Sequence, residues 1–457
     1  MPQVTYIPDF SGRIILNELP PGKPERVSIV APTIVRPGRP FTIKLAVHDE
    51  NSRISVWHKY FDLHFPEANI NGLTVELLPD KPAIVFLDNI TINKPGFSRM
   101  RAYMNDRVFY SNPILCSDEE ENEIFWGDPH IHTVLSRCHH DKCRTLNFAY
   151  TAAKYLSALD WAAMADHVSN GRCDASKWKE QATVSNLYNE SGKFVTLPAY
   201  EASFKGGAGG DCNVYMDKYA GMYCEDYENG TMKTVCENLK KKSAAQGFDF
   251  FTVPHHTTRP GKHGEIGDAI FPGKEIMPVI EIHSKWGTSE YRGNPHPLQE
   301  IHPGPSYAVD LLNRGLKLGF IGGTDTHSTM TYGKGFEPPH LYADPGITAV
   351  MSPELSRDSI YKAIKNRHCY AAMLERIYLK MNVNGNIINV IAAGQSDIQS
   401  IEIIKNGKTV HKHEPSGTWQ ENILYKDEDH SDKAEYYYTR ITCKSGAMAW
   451  SSPHWPD

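Results

Sequence analysis

The sequence predicts an α/β protein in which a central α/β domain stands between two β domains. Two observations support this prediction. Short β-branched runs separated by turn residues fill both ends of the chain. Between them, short apolar runs alternate with helical segments, and the number of repeats fits a parallel barrel. We place a β-sandwich-like domain at residues 1–120, the barrel at 121–375 and a second β-sandwich-like domain at 376–457.

Length and composition favour several globular domains. The chain has 457 residues, of which 40% are hydrophobic and 22% charged, enough for more than one core. A net charge of −6 gives no reason to expect nucleic-acid binding. We see no apolar run near the roughly 18–20 residues that cross a membrane, and no secretory signal at the start. The nine scattered cysteines favour reduced thiols, so we expect a cytoplasmic protein.

Both ends of the chain show strand patterns. Near the start, "RVSIVAP", "PFTIKLAVHD", "LTVELL" and "AIVFLDNITI" are separated by Pro, Gly and Asn turns, as in a β-sandwich. The acidic "SDEEENE" at 117–123 then predicts a solvated hinge. From about residue 376 the strand pattern returns in "IYLKMNVNG", "QSIEIIKNGKTV" and "AEYYYTRITC". Asn406 and Gly407 suit a tight hairpin turn between two of these strands.

The central region alternates helices with buried strands. Apolar residues recur at helical spacing in "TLNFAYTAAKYLSAL", and "TMKTVCENLKKKSAAQ" and "SPELSRDSIYKAIKNR" are further helical segments. Between them lie short apolar runs that predict buried strands: "LDWAAMA", "FVTLPAY", "FDFFTV", "MPVIEI" and "LGFIGG". Strands that alternate with helices predict a parallel sheet, here closed into a barrel.

Side chains that bind metals follow these strands. Six strand-like segments end in such residues: His130 and His132, Asp166 and His167, Glu201, His255 and His256, His283, and Asp325 and His327. In a parallel barrel the carboxyl ends of the strands meet at one face. A His-X-His pair places both imidazoles on one side of an extended strand. Imidazole and carboxylate suit Zn²⁺, Mn²⁺ or Fe, and so many ligands predict two or three divalent ions with a bridging carboxylate.

Each of these residues also has an ordinary structural explanation. Asp166 and His167 could form a buried hydrogen-bonded pair, "PHH" could be a plain loop, and Glu201 could pair with a surface lysine. A lone His-X-His pair is a weak signal. Taken together, the ordinary explanations require six separate coincidences at strand ends. We therefore favour a metal centre.

The ordered motifs GDxHxH, DH, E, PHH, H and GTDTH resemble the polymerase-and-histidinol-phosphatase (PHP) superfamily of metal-dependent phosphoesterases. The chain more closely resembles the large uncharacterised branch of that superfamily, in which β domains flank the catalytic domain. The segments that carry this likeness span roughly residues 120 to 457: "WGDPHIHT", "AYEAS", "GGDCNVYM", "VIEIHS", "FIGGTDTHS", "GITAVM" and "MAWSSP". The resemblance implies a distorted seven-stranded (β/α) barrel with up to three metal ions.

The resemblance also implies how the ligands are shared. The first ion would have four ligands: His130, His132, Glu201 and Asp325. Glu201 would bridge to a second ion, which His255 and His283 also hold. A third ion would bind His167 and His327.

The stretch after the His-X-His pair leaves one ligand of the third ion open. The resemblance implies His or Asp there, whereas this chain has Cys138 followed by His139 and His140. A Cys138 thiolate would favour zinc or iron. Equally, His139 or His140 could take the place, or the third position could be empty. A disulfide between Cys138 and Cys143 is disfavoured by the reducing compartment that we expect.

The expected chemistry is hydrolysis by a metal-bound hydroxide. Asp325 or His256 is expected to carry the proton. Four residues that follow strand-end ligands could clamp an anionic group: Arg259, Lys262, His263 and Lys285. A solvated loop explains the first three equally well. The sequence thus predicts a phosphoesterase for a small organic phosphate mono- or diester.

The sequence is compatible with two other functions. The same centre could hydrolyse an amide, a lactone or a carboxylic ester, because the ligands do not select the bond. The β domains could instead form a catalytically silent binding module, with aromatics such as Trp419, Trp450 and Trp455. An intact ligand set argues against the silent module. We expect a small anionic molecule as the partner, and the sequence leaves open whether the chain forms a homo-oligomer.

Overall fold

The computed structural model describes residues 2–6, 23–49, 60–77, 83–138, 143–168, 174–203, 211–220, 231–258, 266, 271–298, 306–328, 344–429 and 436–456. Within these ranges most of the regular structure is β-strand. No helix in this described part is both long and apolar enough to cross a membrane.

The N-terminal region consists of short strands in three sheets. Its described strands are β1 (Gln3–Tyr6), β2 (Pro24–Val30), β3 (Ile34–Val35), β4 (Phe41–Asp49), β5 (Tyr60–Phe65), β6 (Ile70–Glu76), β7 (Ile84–Ile90), β8 (Gly96–Ser98), β9 (Arg101–Met104), β10 (Arg107–Tyr110) and β11 (Ile114–Cys116). The sheet orders are β1-β7-β4-β2, β10-β9-β5-β6 and β3-β11-β8. Apolar side chains from all three sheets share one core.

The central region mixes strands with short helices. Its strands are β12 (Glu123–Ile131), β13 (Trp161–Met164), β14 (Val195–Leu197), β15 (Ala199–Ala202), β16 (Cys212–Met216), β17 (Phe250–Pro254), β18 (Val279–Ser284), β19 (Gly287–Thr288), β20 (Gly319–Gly322), β21 (Gly346–Ser352) and β22 (Cys369–Met373). Its helices are α1 (Leu146–Thr151), α2 (Ala175–Tyr188), α3 (Met232–Gln246), α4 (Ala308–Asn313) and α5 (Arg357–Lys365). A 3₁₀ turn, Val134–Ser136, follows β12, and a π-helical turn, Ala152–Leu156, extends α1.

The helices begin at side chains that cap them. Thr145, Asp174, Thr231 and Ser356 each accept a backbone N–H of the first turn of their helix. Such caps satisfy donors that have no partner within the helix. α3 ends at Gly247, whose φ of 67° suits glycine. The predicted helical segments at 145–159, 231–246 and 352–367 therefore contain α1, α3 and α5.

The C-terminal strands extend a sheet that begins in the central region. They are β23 (Tyr378–Asn384), β24 (Ile387–Ala393), β25 (Ile398–Lys405), β26 (Lys408–His413), β27 (Gln420–Lys426), β28 (Tyr437–Cys443) and β29 (Met448–Ser451). One nine-stranded sheet runs β14-β13-β12-β21-β22-β29-β28-β25-β26, and β23-β24-β27 form another. The larger sheet crosses the boundary expected at residues 375 and 376. The division into three domains stays a prediction.

The predicted (β/α) barrel is wrong. Among the described residues no sheet closes on itself, and the central strands divide between three sheets. β12 is parallel to β13 but antiparallel to β21, and β15, β16 and β17 form an antiparallel sheet. The sequence could not show this difference. A short apolar run indicates burial on both faces, and it looks the same whichever way the neighbouring strand runs.

The strand ends nevertheless come together. One isolated parallel bridge, between Ile131 and Thr326, joins the end of β12 to the segment that follows β20. A second, between His167 and Glu201, joins the segment that follows β13 to β15. Gly127 in β12 permits close packing here, because a Cβ at this position would lie 2.1 Å from the indole ring of Trp161. Only glycine lets that ring lie against the backbone of β12.

Candidate metal centre

Eight of the side chains that were expected at strand ends come together at the ends of five strands. They form the candidate centre: His130 and His132 at the end of β12, His167 after β13, Glu201 in β15, His255 and His256 after β17, and Asp325 and His327 after β20. Backbone hydrogen bonds fix these segments to one another. The N–H of His132 donates to Thr326 O at 3.1 Å, and the N–H of Glu201 donates to Asp166 O at 3.0 Å.

Glu201 lies in the middle of four imidazoles. Its Oε2 is 3.6 Å from Nε2 of His130, 3.3 Å from Nε2 of His132 and 3.0 Å from Nδ1 of His167. Its Oε1 is 3.2 Å from Nε2 of His255. Two ligands that each lie about 2.1 Å from one tetrahedral ion are about 3.4 Å apart. The spacing around Glu201 is therefore that of ligands around metal ions.

Asp325 provides a second shared carboxylate. Its Oδ1 lies 3.0 Å from Nε2 of His132 and 3.4 Å from Nε2 of His130, and its Oδ2 lies 2.9 Å from Nε2 of His256. Asp325 and His256 both have a positive φ, 48° and 51°. Such conformations cost roughly 1–3 kcal/mol for residues other than glycine, and the surrounding structure must impose them. The fold thus holds both side chains at this site against a local preference.

The described side chains form four overlapping groups that could each hold a metal ion. In each group every residue offers one ligand atom, and these ligand atoms lie within 4.8 Å of one another. The groups are His130, His132 and Asp325; His130, Glu201 and His255; His132, Cys138, His167 and His327; and Asp211, His255 and His256. Nε2 of His130, Nδ1 of His167 and Oε2 of Glu201 are buried without a well-formed hydrogen bond. Unpaired buried polar atoms are costly, and bound cations would satisfy these three. The donor set therefore fits divalent metal ions.

The segment after the His-X-His pair brings Cys138 to the group of His132, His167 and His327. A hydrogen bond with Cys143 and burial raise the pKa of the Cys138 thiol to about 11. Cys138 would therefore be a protonated thiol unless a cation displaces the proton. Cys138 and Cys143 are both free thiols in the structure. His139 and His140 lie outside the described residues.

His283 occupies different surroundings from those expected. Its Nδ1 lies 2.8 Å from Oγ1 of Thr288, and its Nε2 lies 2.8 Å from the carbonyl oxygen of Asp344. The ring stacks on Trp450 with centroids 5.8 Å apart. Burial lowers the pKa of His283 to about 4. Among the described groups of possible ligands, none includes this imidazole.

Of the four expected substrate contacts, the structure describes one. Lys285 is buried, and its Nζ lies 3.5 Å from Oγ1 of Thr326. Thr326 stands between Asp325 and His327 in the sequence. Arg259, Lys262 and His263 lie outside the described residues. The indole of Trp286, next to Lys285, lies 5.5 Å from the ring of His256. This part of the chain therefore adjoins the candidate centre.

Three buried carboxylates at the centre were not predicted from the sequence. Oε2 of Glu281 lies 3.1 Å from Nδ1 of His130, on the side of the ring opposite Nε2. Asp128 accepts hydrogen bonds from the N–H and the hydroxyl of Thr324. Asp211 joins His255 and His256. The two-residue spacing of Glu281 and His283 would favour one face of a regular strand, but the pairing of β18 with β20 is irregular between them, and Glu281 contacts His130 while His283 contacts Thr288 and Asp344.

Electrostatics favour protonated His130 and His167 beside an ionised Glu201, whereas burial lowers the pKa of His132 well below its usual value. Burial opposes protonation of His130, but Asp325 and Glu281 outweigh it and raise its pKa well above the usual value. Burial likewise opposes the charge on His167, yet Glu201 raises the pKa of His167 well above the usual value. In turn, burial disfavours ionisation of Glu201, but His167 and His130 lower its pKa well below the usual value. In the absence of metal, protons thus hold these side chains together.

Metal affinity should rise with pH. Ions must displace protons from His130 and His167, whose pKa values are raised, and a lower pH strengthens that competition. We expect about tenfold tighter apparent binding per pH unit for each displaced proton between about pH 6 and pH 8. Calorimetric titration with Zn²⁺ in buffers of different ionisation enthalpy counts the released protons. An affinity independent of pH, with no proton release, would contradict the assigned protonation states.

No protein-family model matches the chain. An uncharacterised protein of Chlamydia pneumoniae is 24% identical over 476 residues, covering 95% of this chain and 74% of the relative. An uncharacterised protein of Chlamydia trachomatis serovar D is 27% identical, covering 98% and 75%. A solved two-domain protein from Bacteroides vulgatus, described as containing a predicted PHP-like metal-dependent phosphoesterase, is 12% identical with a TM-score of 0.42. The match covers 74% of this chain and 96% of that one, and it is too distant to carry an argument.

Proposed function

We propose that this chain is a metal-dependent hydrolase, and specifically a phosphoesterase of the PHP type that cleaves a small organic phosphate mono- or diester. The observation that carries the proposal is the set of overlapping ligand groups around Glu201 and Asp325. A structural ion needs one closed set of four ligands, whereas catalytic sites share carboxylates and keep positions open. Shared ligands in a buried cluster therefore favour catalysis.

The residues of the chain have distinct roles in this proposal. Glu201 and Asp325 hold two or three divalent ions, of Zn, Mn or Fe, together with the surrounding imidazoles. Such ions, when bound, generate a nucleophile from water near neutral pH and polarise the oxygen of the bond to be cleaved. His256 lies 2.9 Å from Asp325, and this contact supports the pair as the path for the proton.

Lys285 supports an anionic substrate. A buried ammonium beside the ligands is a favourable place for a phosphate oxygen, because charge-assisted hydrogen bonds are strong where water is excluded. The carboxylate-ester alternative needs no such cation. Arg259, Lys262 and His263 are further proposed contacts for the anion.

The test combines metal analysis with three substrates. The protein is loaded with Zn²⁺, Mn²⁺ or Fe²⁺ and assayed with p-nitrophenyl phosphate, bis(p-nitrophenyl) phosphate and p-nitrophenyl acetate. We expect at least two equivalents of metal and turnover of one of the phosphate esters. Turnover of the acetate alone would move the proposal to carbonyl esters. If the metal-loaded protein hydrolysed none of the three substrates, the proposed hydrolase function would be wrong for these substrate classes.

A matched pair of variants links turnover to the centre. His132 and His48 are both 0% exposed, but His48 lies in β4, in the N-terminal region. We expect His132→Gln to lose metal and turnover and His48→Gln to keep both. Equal losses in the two variants would indicate a general effect on folding.

A further inference from the structure

The antiparallel pair of β16 and β17 carries a carboxylate that the resemblance does not assign to the metal centre. Cys212 pairs with Pro254 in antiparallel register, so the next pair along these two strands is Asp211 and His255. A backbone contact confirms this register, because the N–H of His255 donates to Asp211 O at 3.4 Å. The strand pairing therefore places a carboxylate directly across from a strand-end imidazole.

The backbone turns His256 toward the same place. Successive side chains of an extended strand point to opposite faces, yet His255 and His256 both reach Asp211. The positive φ of His256, 51°, breaks the alternation. All three side chains are buried, and one ligand atom from each lies within 4.8 Å of the others.

A separate observation at His255 also points to a ligand. Its Nε2 faces Oε1 of Glu201 at 3.2 Å, whereas its Nδ1 is buried with no hydrogen-bond partner in the described part of the chain. His283, to which the resemblance assigns a place beside His255, has both nitrogens against Thr288 and Asp344. The expected second position thus lacks the ligand that the resemblance assigns to His283, and Asp211 is a carboxylate within reach of His255.

We propose that Asp211 is a metal ligand, and that Asp211, His255 and His256 form a divalent-metal position at the end of the paired strands β16 and β17. One carboxylate and two imidazoles suit zinc or iron and leave coordination positions open. The inference rests on the proposed metal centre but not on the reaction that the centre catalyses.

The position adjoins the rest of the centre. His255 also belongs to the group with His130 and Glu201, and Nε2 of His256 lies 2.9 Å from Oδ2 of Asp325. Imidazoles that bind metals commonly present their other nitrogen to a carboxylate. Asp325 and His256 were both proposed to transfer the proton. If His256 binds the metal ion, Asp325 is the residue that transfers it.

The test counts metal ions in three variants. Asp211→Asn keeps the shape of the side chain but removes the negative charge. Asp217→Asn is the matched control, because Asp217 follows the other end of β16 and accepts the N–H of Asp249 at 3.0 Å. His283→Gln tests the alternative ligand. Each protein is equilibrated with Zn²⁺, freed of excess metal and analysed by mass spectrometry, with the thermal transition recorded alongside.

We expect Asp211→Asn to lose one equivalent of zinc and the other two variants to retain the wild-type number. A full complement of zinc in Asp211→Asn would overturn the proposal, and a loss only in His283→Gln would return the position to His283. Asp211→Cys gives a second readout if the first variant folds poorly. Loaded with Co²⁺, it should gain sulfur-to-cobalt absorption relative to the wild type, and no gain would also count against Asp211. A zinc loss without any wild-type hydrolysis would reject the proposed function alone.

Discussion

Glu201→Gln should remove metal from more than one position and abolish turnover. Glu201 contacts the imidazoles of His130, His132, His167 and His255, so any ion that those rings would share depends on its charge. The amide keeps the shape but provides no anion, and the buried histidine cations lose their partner. We expect a loss of turnover well beyond the roughly 10- to 100-fold that follows loss of an outer-shell contact. Elemental analysis and phosphate-ester turnover measure the two effects.

The control for this variant is another buried glutamate. Glu290 is 0% exposed and accepts hydrogen bonds from Tyr438, Arg440 and Trp450, outside the four ligand groups. Glu290→Gln should lower the thermal transition while the metal content stays at the wild-type value. If Glu201→Gln kept its metal and its turnover, the shared-carboxylate arrangement would be wrong.

Glu281→Ala should weaken metal binding about 10- to 100-fold. Oε2 of Glu281 lies 3.1 Å from Nδ1 of His130, and this contact favours the tautomer that leaves Nε2 for a metal ion. Glu281→Gln should cost less, because its amide oxygen can still accept the Nδ1 hydrogen. Competition with a chromophoric chelator measures both affinities. Equal affinities in the wild type and Glu281→Ala would show that His130 needs no such orientation.

Gly323 offers an independent check on Glu281. A Cβ at position 323 would lie 2.5 Å from Oε2 of Glu281 and 2.9 Å from Cβ of His130. Gly323→Ala should therefore displace that carboxylate and weaken metal binding in the same direction. The glycine is needed because the backbone passes so close to the pair.

Much of the candidate centre could be predicted from the sequence because its signal is local. His130 and His132 are two residues apart on one strand, and such spacing directs both side chains to one face whatever the sheet topology. The runs that contain β13, β17, β18 and β20 are recognisable as well, because strands that are buried on both faces are mostly apolar.

The features that the sequence could not reveal depend on partners far along the chain. The barrel prediction failed because strand direction is set by pairing, as in the antiparallel contact of β12 with β21. Asp211 lies across an antiparallel strand pair from His255, and 44 residue numbers separate them. His283 has a ligand-type side chain at a strand end, yet Thr288 and Asp344 surround it. Residue type and spacing identify candidates, and only tertiary contacts assign their partners.

The nine-stranded sheet has a consequence for the order of events during synthesis. β12, which carries His130, pairs with β21, and β22 pairs with β29 near the last described residues. A ribosome adds about 5–20 residues per second, so β12 emerges tens of seconds before the strands that complete its sheet. During that interval, the unpaired edges of β12 and the candidate metal ligands that follow it lack the partners that they have in the finished fold. A nascent chain of this protein should therefore depend on chaperones, and on delayed metal loading, more than the stability of the finished fold suggests.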